Sequence, residues 1–107
     1  MSEPVPRQHP LADFAPKLVS LTEEVLFGDI WERPELSPRD RSLVTVAALV
    51  ATGSTEQMVG HLARAQANGI TQDELKELIL HLAFYAGWPR AMSAMNVAKR
   101  VFETPQT

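Results

Sequence analysis

The apolar residues of this chain recur at the spacing of amphipathic helices. Between Leu11 and Phe27, apolar positions follow one another every three or four residues, with lysine and glutamate between them. This pattern predicts a first helix that ends at Gly28. The first ten residues, MSEPVPRQHP, contain three prolines and no such periodicity, which predicts a flexible arm over residues 1–10.

A second helix is predicted from Pro38 to about Thr52. Ser37 is suited to be its N-cap, and Pro38 to be its first residue. The centre, LVTVAALVA, contains β-branched residues that could also form a strand, but a segment of roughly fourteen residues between caps favours a helix. Because this centre is apolar on nearly every side, we expect protein to surround it.

A third helix follows after a glycine. Gly53 ends the second helix, and Ser54 or Thr55 is predicted to cap the third. The pair Asn68-Gly69 is typical of a left-handed terminator and predicts the end of this helix.

The fourth and fifth helices have clear start signals. The segment TQDE at residues 71–74 is a capping box, which predicts a fourth helix that reaches Tyr85. Gly87 separates it from a fifth helix, which has Pro89 in its first turn and reaches Phe102. The sequence therefore predicts an all-α protein of about five helices with short connections.

The fourth helix carries apolar residues on two sides. At about 100° per residue, one face is formed by Leu75, Leu78, Ile79, Leu82 and Ala86. Leu80 and Phe84 lie on roughly the opposite side. Because a small helical protein has one core to fill, the second stripe predicts a homo-oligomer packed through this helix.

Length and charge are those of one helical domain, expected over residues 11–104. A net charge of -3 in 107 residues creates no general attraction for nucleic acid or for an anionic membrane. No apolar run is long enough to span a membrane, so a cytoplasmic location is expected. The absence of cysteine removes thiolate catalysis and thiolate metal ligands, and the three histidines have no recognised metal spacing. We therefore expect no metal ion.

Two arginines fall in the first turn of the second helix, where the helix dipole disfavours positive charge. A bound carboxylate would compensate Arg39 and Arg41, because helix N–H groups and guanidinium groups both donate to an anion. The alternative is pairing with Asp40, Glu32 or Glu35. The pattern leaves both a substrate carboxylate site and an ion-pair network open.

His81 and Tyr85 are four residues apart on the fourth helix and are therefore predicted to be neighbours. Both flank the Leu78 stripe, away from the solvent face. Such a pair can orient an imidazole or stabilise a developing oxyanion. A buried hydrogen bond or an interface contact is the alternative.

His61 lies at the margin of the apolar face of the third helix, on the same side as Ser54 and Gln57. A polar stripe beside an apolar wall suits a proton-transfer group in a largely dry pocket. A boundary histidine that is half in solvent is the other interpretation. Trp88, at the start of the fifth helix, is in a position typical of a packing anchor.

Three motifs occur together in this chain. They are R-x-R-S-L-V-T at residues 39–45, H-x6-N-G-I-T-x-D-E-L-K-E at residues 61–77, and H-x3-Y-x-G-x-P at residues 81–89. With the preceding segment GDIWERPELSP, they resemble the carboxymuconolactone decarboxylase family. The resemblance covers about residue 27 to Phe102.

This resemblance implies an alkylhydroperoxidase D-like helical bundle, assembled as a trimer or hexamer. The peroxidase branch of that superfamily carries C-x2-C-x3-H, and Ser54 and Gln57 stand at the two cysteine positions while His61 matches the histidine. Ser42 stands where that branch keeps a glutamate in its proton relay. Serine and glutamine cannot cycle through a disulfide, so thiol peroxidase activity is excluded.

The R-S-L-V-T and ELILH segments match the decarboxylase branch, which implies a cofactor-independent conversion of 4-carboxymuconolactone or a similar small carboxylated lactone. The residues implied to bind the substrate are Arg39, Arg41, Ser54, Gln57 and Trp88. His61 is implied to deliver a proton, and His81 with Tyr85 to orient groups or support an oxyanion. The alternative function is a non-catalytic oligomeric binding or accessory protein of the same fold.

Two residues depart from the decarboxylase pattern. Trp88 and Arg90 stand where these decarboxylases usually have smaller or uncharged residues. A bulky ring and an additional cation near the pocket can select a different acid.

Overall fold

A computed structural model of the protein describes residues 9–104. Within this range the regular secondary structure consists of helices, with five α-helices and no strand, which confirms the all-α prediction. The chain divides into two compact units between Glu35 and Leu36. The predicted arm lies outside the described residues except for its last two positions, and a single domain over residues 11–104 stays a prediction.

The first unit begins its helix later than its apolar pattern indicates. Helix α1 spans Pro16–Ser20, so the predicted start at Leu11 is wrong. Ala15 has φ -136° and ψ 68°, because a following proline disfavours the helical conformation of the residue before it. The apolar periodicity continues across this proline, but the helical backbone does not.

From Leu21 the first unit follows a wider helix. A π-helix spans Leu21–Phe27 and ends at Gly28 as predicted, and a 3₁₀ turn spans Ile30–Glu32. The rings of Phe27 and Trp31 lie 5.7 Å apart. A π-helix places successive side chains at a different angular spacing from an α-helix, so the 3.6-residue pattern could not reveal it.

The second unit is a four-helix bundle. Its helices are α2 at Pro38–Thr52, α3 at Thr55–Ala67, α4 at Gln72–Ala83 and α5 at Trp88–Glu103. Helix α3 packs against α2 and α5, and α4 packs against the same two helices. The predicted ends agree with these bounds to within two residues.

The core of the second unit contains side chains from all four helices. Its largest apolar members with no exposed surface are Val46, Val50, Met58, Leu62, Leu75 and Ile79. On α4, Leu75 and Ile79 of the first apolar stripe are buried, and Leu78 and Leu82 pack half-buried against the core. Leu80 and Phe84 are 47% and 74% exposed. Val44 on α2 is also 61% exposed, so protein does not surround α2 on every side within one chain.

Side-chain caps fix two helix starts in this bundle. The Ser37 hydroxyl accepts a hydrogen bond from the Asp40 N–H at 3.0 Å. At the start of α4, the Thr71 hydroxyl accepts from the Glu74 N–H at 3.0 Å, and the Glu74 carboxylate accepts from the Thr71 N–H at 2.9 Å. The predicted capping box is thus confirmed, and caps of this kind stabilise a helix by about 1 kcal/mol.

Two glycines of the bundle should respond to alanine in opposite directions. Gly53 ends α2 with φ 73°, and a Cβ there would overlap the Arg90 guanidinium; a Cβ at Gly60, inside α3, would meet nothing within 4 Å. We expect Gly53→Ala to lower the free energy of unfolding by about 1–2 kcal/mol. Gly60→Ala should raise it by about 0.5–1 kcal/mol. Chemical denaturation checks both, and a shift of the same sign in both variants would contradict this account.

Candidate functional site

Arg39 is engaged by two carboxylates. Its guanidinium forms an ion pair with Glu74 on α4, and it lies 3.9 Å from the Asp40 carboxylate. Of the predicted ion-pair partners, Asp40 is confirmed, whereas Glu35 lies 3.6 Å from Arg33. The Glu74 contact was not foreseen, because it depends on α2 and α4 beginning side by side in the bundle.

The Glu74 carboxylate is held in its ionised form. The Thr71 N–H that donates to it lowers the pKa of Glu74, and the hydrogen bond and charge of Arg39 lower it further. A hydrogen bond to the charged form of an acid favours that form. Glu74 therefore stays a charged partner of Arg39 at neutral pH.

Ser42, which follows Arg41 on α2, links this helix to the end of α3. Arg41 is partly exposed, and its Nε atom is buried. Ser42 is completely buried and accepts a hydrogen bond from the Asn68 side-chain amide at 3.0 Å. The same amide donates to the Pro38 carbonyl at 3.4 Å, so Asn68 joins the start of α2 to the end of α3.

His61 is half-buried on α3, and its Nδ1 atom is buried. Burial lowers the pKa of His61 below its ordinary value, and the positive charge of Arg64 lowers it further. Both causes disfavour the imidazolium ion. At neutral pH the His61 side chain is therefore mainly the neutral imidazole.

This lowered pKa makes a prediction about acid stability. The unfolded chain takes up a proton on His61 near pH 6.5, before the folded chain does, so the free energy of unfolding falls as the pH drops below that value. This loss of stability is complete once the pH is below the pKa of His61 in the folded protein. His61→Gln should remove this part of the pH dependence between about pH 7 and 5. Urea unfolding across this range measures it, and identical slopes for the two proteins would contradict it.

His81 and Tyr85 are neighbours, as predicted. Their rings are stacked with centroids 4.8 Å apart. Both side chains are exposed, Tyr85 by 77%, so the prediction that they avoid the solvent face is wrong for the single chain. Helix α4 ends at Ala83, and Tyr85 lies in the turn beyond it, outside the helical stripe.

His81 lines a cavity of about 340 Å³ between α2 and α4. The other lining residues are Ala47, Glu74, Glu77, Leu78 and Leu82. Two carboxylates therefore face the same space as His81, and His61 is not among the lining residues. Since α3 and α4 are held together through α2 and α5, the two histidines belong to different parts of the bundle.

The remaining predicted substrate contacts lie at the start of α3 and α5. The Ser54 hydroxyl is 2.7 Å from the Thr52 hydroxyl, and Gln57 is exposed. Trp88 is 57% exposed and meets the Phe84 ring edge to face, with centroids 5.9 Å apart. Contact of these side chains with a substrate stays a prediction.

A second cavity, of about 350 Å³, lies where α3 and α5 begin. Its lining residues are Gly53, Thr55, Pro89, Arg90 and Ser93. The sequence pointed to Arg90 as an additional cation but did not predict the two hydroxyl groups beside it. They come from different helices, and no spacing along the chain relates them.

Among residues 9–104, no group of three or more histidine, aspartate or glutamate side chains is placed to hold a metal ion. None of the helices in that range is long and apolar enough to cross a membrane.

Comparison with known sequences decides the family. The sequence profile of the carboxymuconolactone decarboxylase family matches residues 16–100. The chain belongs to this family. The resemblance inferred from the three motifs is thereby confirmed, and with it the fold of the carboxymuconolactone decarboxylase family for this all-helical chain.

Three proteins similar to this chain carry different names. A 4-carboxymuconolactone decarboxylase of Acinetobacter baylyi is 43% identical over 87% of this chain and 69% of its own length. A nitrosuccinic acid decarboxylase of Metarhizium robertsii is 34% identical over 75% of this chain and 56% of its own length. An uncharacterized 15.0 kDa protein of Paracoccus denitrificans is 28% identical over 74% of this chain and 60% of its own length.

Proposed function

We propose that this protein is a decarboxylase that acts, without a cofactor, on 4-carboxymuconolactone or a similar small carboxylated lactone. The observation that carries the proposal is the 43% identity to a 4-carboxymuconolactone decarboxylase over 87% of this chain. A relative named for nitrosuccinic acid is also a decarboxylase. Loss of a carboxylate is therefore common to two named relatives, while the acid differs.

The proposed reaction needs no external electron acceptor. The bond between the ring carbon and the carboxylate breaks, CO2 leaves, and the electron pair moves through the ring double bond to the lactone carbonyl oxygen. One proton is then added to carbon as the carbonyl re-forms. The protein has to hold the carboxylated substrate, stabilise the transient oxyanion and supply that proton.

His61 is the proposed source of the proton. Its lowered pKa means that its imidazolium form releases a proton more readily than an ordinary histidine does. The side chain is also partly exposed, so the neutral imidazole can take up a proton from solvent before each transfer.

Arg39 and Arg41 are the proposed carboxylate-binding groups on α2. The guanidinium of Arg39 already binds Glu74, so a substrate carboxylate has to compete with or displace that partner. Arg41 lies two residues further along α2, where part of its guanidinium is out of contact with water. A charge-assisted hydrogen bond is stronger in such a setting.

The alternative, a non-catalytic oligomeric binding or accessory protein, is favoured by one observation. Glu74 and Glu77 line the cavity that contains His81, and two carboxylates repel an anionic substrate. Under this alternative, the stacked His81 and Tyr85 would contact a bound partner. Under the decarboxylase proposal they support the oxyanion.

Assembly into a homo-oligomer, a trimer or a hexamer, is part of the proposal. Large apolar side chains remain exposed along the end of α4 and the start of α5. They are Leu80, Phe84, Trp88 and Met92, and we call them the α4–α5 apolar face. An exposed apolar face of this kind is suited to contact a second copy of the chain. A cytoplasmic location stays a prediction.

The decisive experiment is turnover by the purified protein. Incubation with 4-carboxymuconolactone should remove the lactone absorbance and release one CO2 for each molecule consumed. The same rate after dialysis against a chelator would support independence from metal ions. If neither this lactone nor close analogues lose CO2, the decarboxylase proposal fails and the accessory function becomes the better account.

A further inference from the structure

Arg90 is held against the backbone of a neighbouring helix. It lies in the first turn of α5, and its guanidinium passes over Gly53 so closely that a Cβ at that position would overlap it. Glycine at this position therefore does two things, since it ends α2 with a positive φ and leaves room for the arginine. The guanidinium is placed at one wall of the α3–α5 cavity.

The α3–α5 cavity is lined by groups that suit an anion. Besides Arg90 it is lined by the hydroxyl-bearing residues Thr55 and Ser93, with Gly53 and Pro89 completing the wall. None of these residues carries a negative charge, in contrast to the cavity beside His81. Within residues 9–104, no carboxylate forms an ion pair with Arg90.

The position of Arg90 along its helix also favours the binding of an anion. Helix α5 begins at Trp88, so Arg90 stands in the first turn, where the helix dipole disfavours a cation. A carboxylate bound between the guanidinium and the two hydroxyl groups would offset that effect. A planar guanidinium also matches a carboxylate through two parallel hydrogen bonds.

We infer that the α3–α5 cavity binds a carboxylate group of a small organic acid, with Arg90 as the main contact and Ser93 and Thr55 as hydroxyl partners. The inference rests on the proposed function to the extent that the substrate of a decarboxylase supplies such a group. It adds a binding position to the arginines of α2. Its volume of about 350 Å³ accepts a small acid.

The test is a binding titration that needs no turnover. Succinate, a small dicarboxylate, is added at constant ionic strength to the ¹⁵N-labelled protein. The amide signals of Gly53, Thr55 and Ser93 should shift together and saturate. Arg90→Gln should weaken this binding by about tenfold or more, the loss of a charge-assisted hydrogen bond. Arg100→Gln removes the same charge from the same helix outside the cavity and should bind succinate as the wild type does.

Conservative variants distinguish specific binding in the cavity from a general attraction of succinate to positive charge. Arg90→Lys keeps the charge but loses the paired hydrogen bonds, so its affinity should lie between those of wild type and Arg90→Gln. Ser93→Ala should weaken binding severalfold, and it serves as the second variant if Arg90→Gln fails to fold. Equal affinity of wild type and Arg90→Gln, an equal loss in Arg100→Gln, or no saturable shift in the wild type would each overturn the inference.

Failure of this inference and failure of the proposed function give different results. If the wild type decarboxylates the lactone but Arg90→Gln binds succinate as well as the wild type does, the α3–α5 cavity is not a carboxylate site. The decarboxylase proposal then stands. If succinate binds through Arg90 and no lactone is consumed, the cavity stands as a carboxylate site and the decarboxylase proposal fails.

Discussion

Replacing His61 by alanine is expected to lower kcat for 4-carboxymuconolactone by about two to four orders of magnitude. The variant lacks the side chain proposed to deliver the proton to carbon, and no other histidine lies on α3 to replace it. Binding of the substrate should change far less than kcat, because the carboxylate contacts are assigned to arginines. Steady-state kinetics that follow the lactone absorbance measure both quantities.

Two controls make the His61 result specific. His9→Ala is the matched change in the segment before α1 and should leave kcat unchanged. Circular dichroism and light scattering should show that His61→Ala keeps its helical content and its subunit number. If His61→Ala turns over the lactone at the wild-type rate, His61 does not deliver the proton, even if the protein is a decarboxylase.

Introducing a charge at Phe84 is expected to separate the subunits of the proposed oligomer. Phe84 is 74% exposed in the single chain and its ring contacts Trp88, so it is the most exposed side chain of the α4–α5 apolar face. Burying an aspartate without a partner at an interface is costly. Phe84→Asp should therefore raise the dissociation constant by about thirtyfold or more, typical of a hot-spot residue. Sedimentation velocity across a concentration series measures it.

The matched control for this substitution is at the opposite end of α4. Gln72→Glu adds one negative charge at an exposed position in the first turn of α4, whereas Phe84 directly follows the last residue of that helix. This control should leave the subunit number unchanged. An unchanged assembly in Phe84→Asp would show that the α4–α5 apolar face is not the interface. A wild-type protein that is monomeric would remove the oligomer from the proposal altogether.

Local signals in the sequence predicted most of the bundle. Helices α2 and α4 begin at the capping residues Ser37 and Thr71, and α2 and α3 end close to Gly53 and Gly69. Each of these signals acts within a few residues. The predicted start of the first helix was wrong because the apolar pattern runs through Pro16, where backbone sterics outweigh side-chain periodicity. Periodicity reports which face is apolar, and it does not report where the backbone can be helical.

The candidate site could be predicted only one helix at a time. The stacking of His81 on Tyr85 depends on neighbours four residues apart and followed from the sequence. The pairing of Arg39 with Glu74, and the meeting of Arg90 with Gly53, join residues more than thirty positions apart. Such contacts depend on which helices lie side by side, and one amphipathic pattern does not contain that information. For the same reason the division of His61 and His81 between two parts of the bundle was not foreseen.

The His81 and Tyr85 stack has a practical consequence, since Tyr85 is the single tyrosine of the chain. Biosynthetic replacement of tyrosine by fluorotyrosine would place one fluorine label directly against one imidazole, without any mutation. Its resonance would report the arrival of a neighbouring subunit or the binding of a ligand in the adjoining cavity. Tyr85 is thus a position for a spectroscopic probe. The decarboxylase proposal and the accessory-protein alternative assign different roles to this residue and to His81.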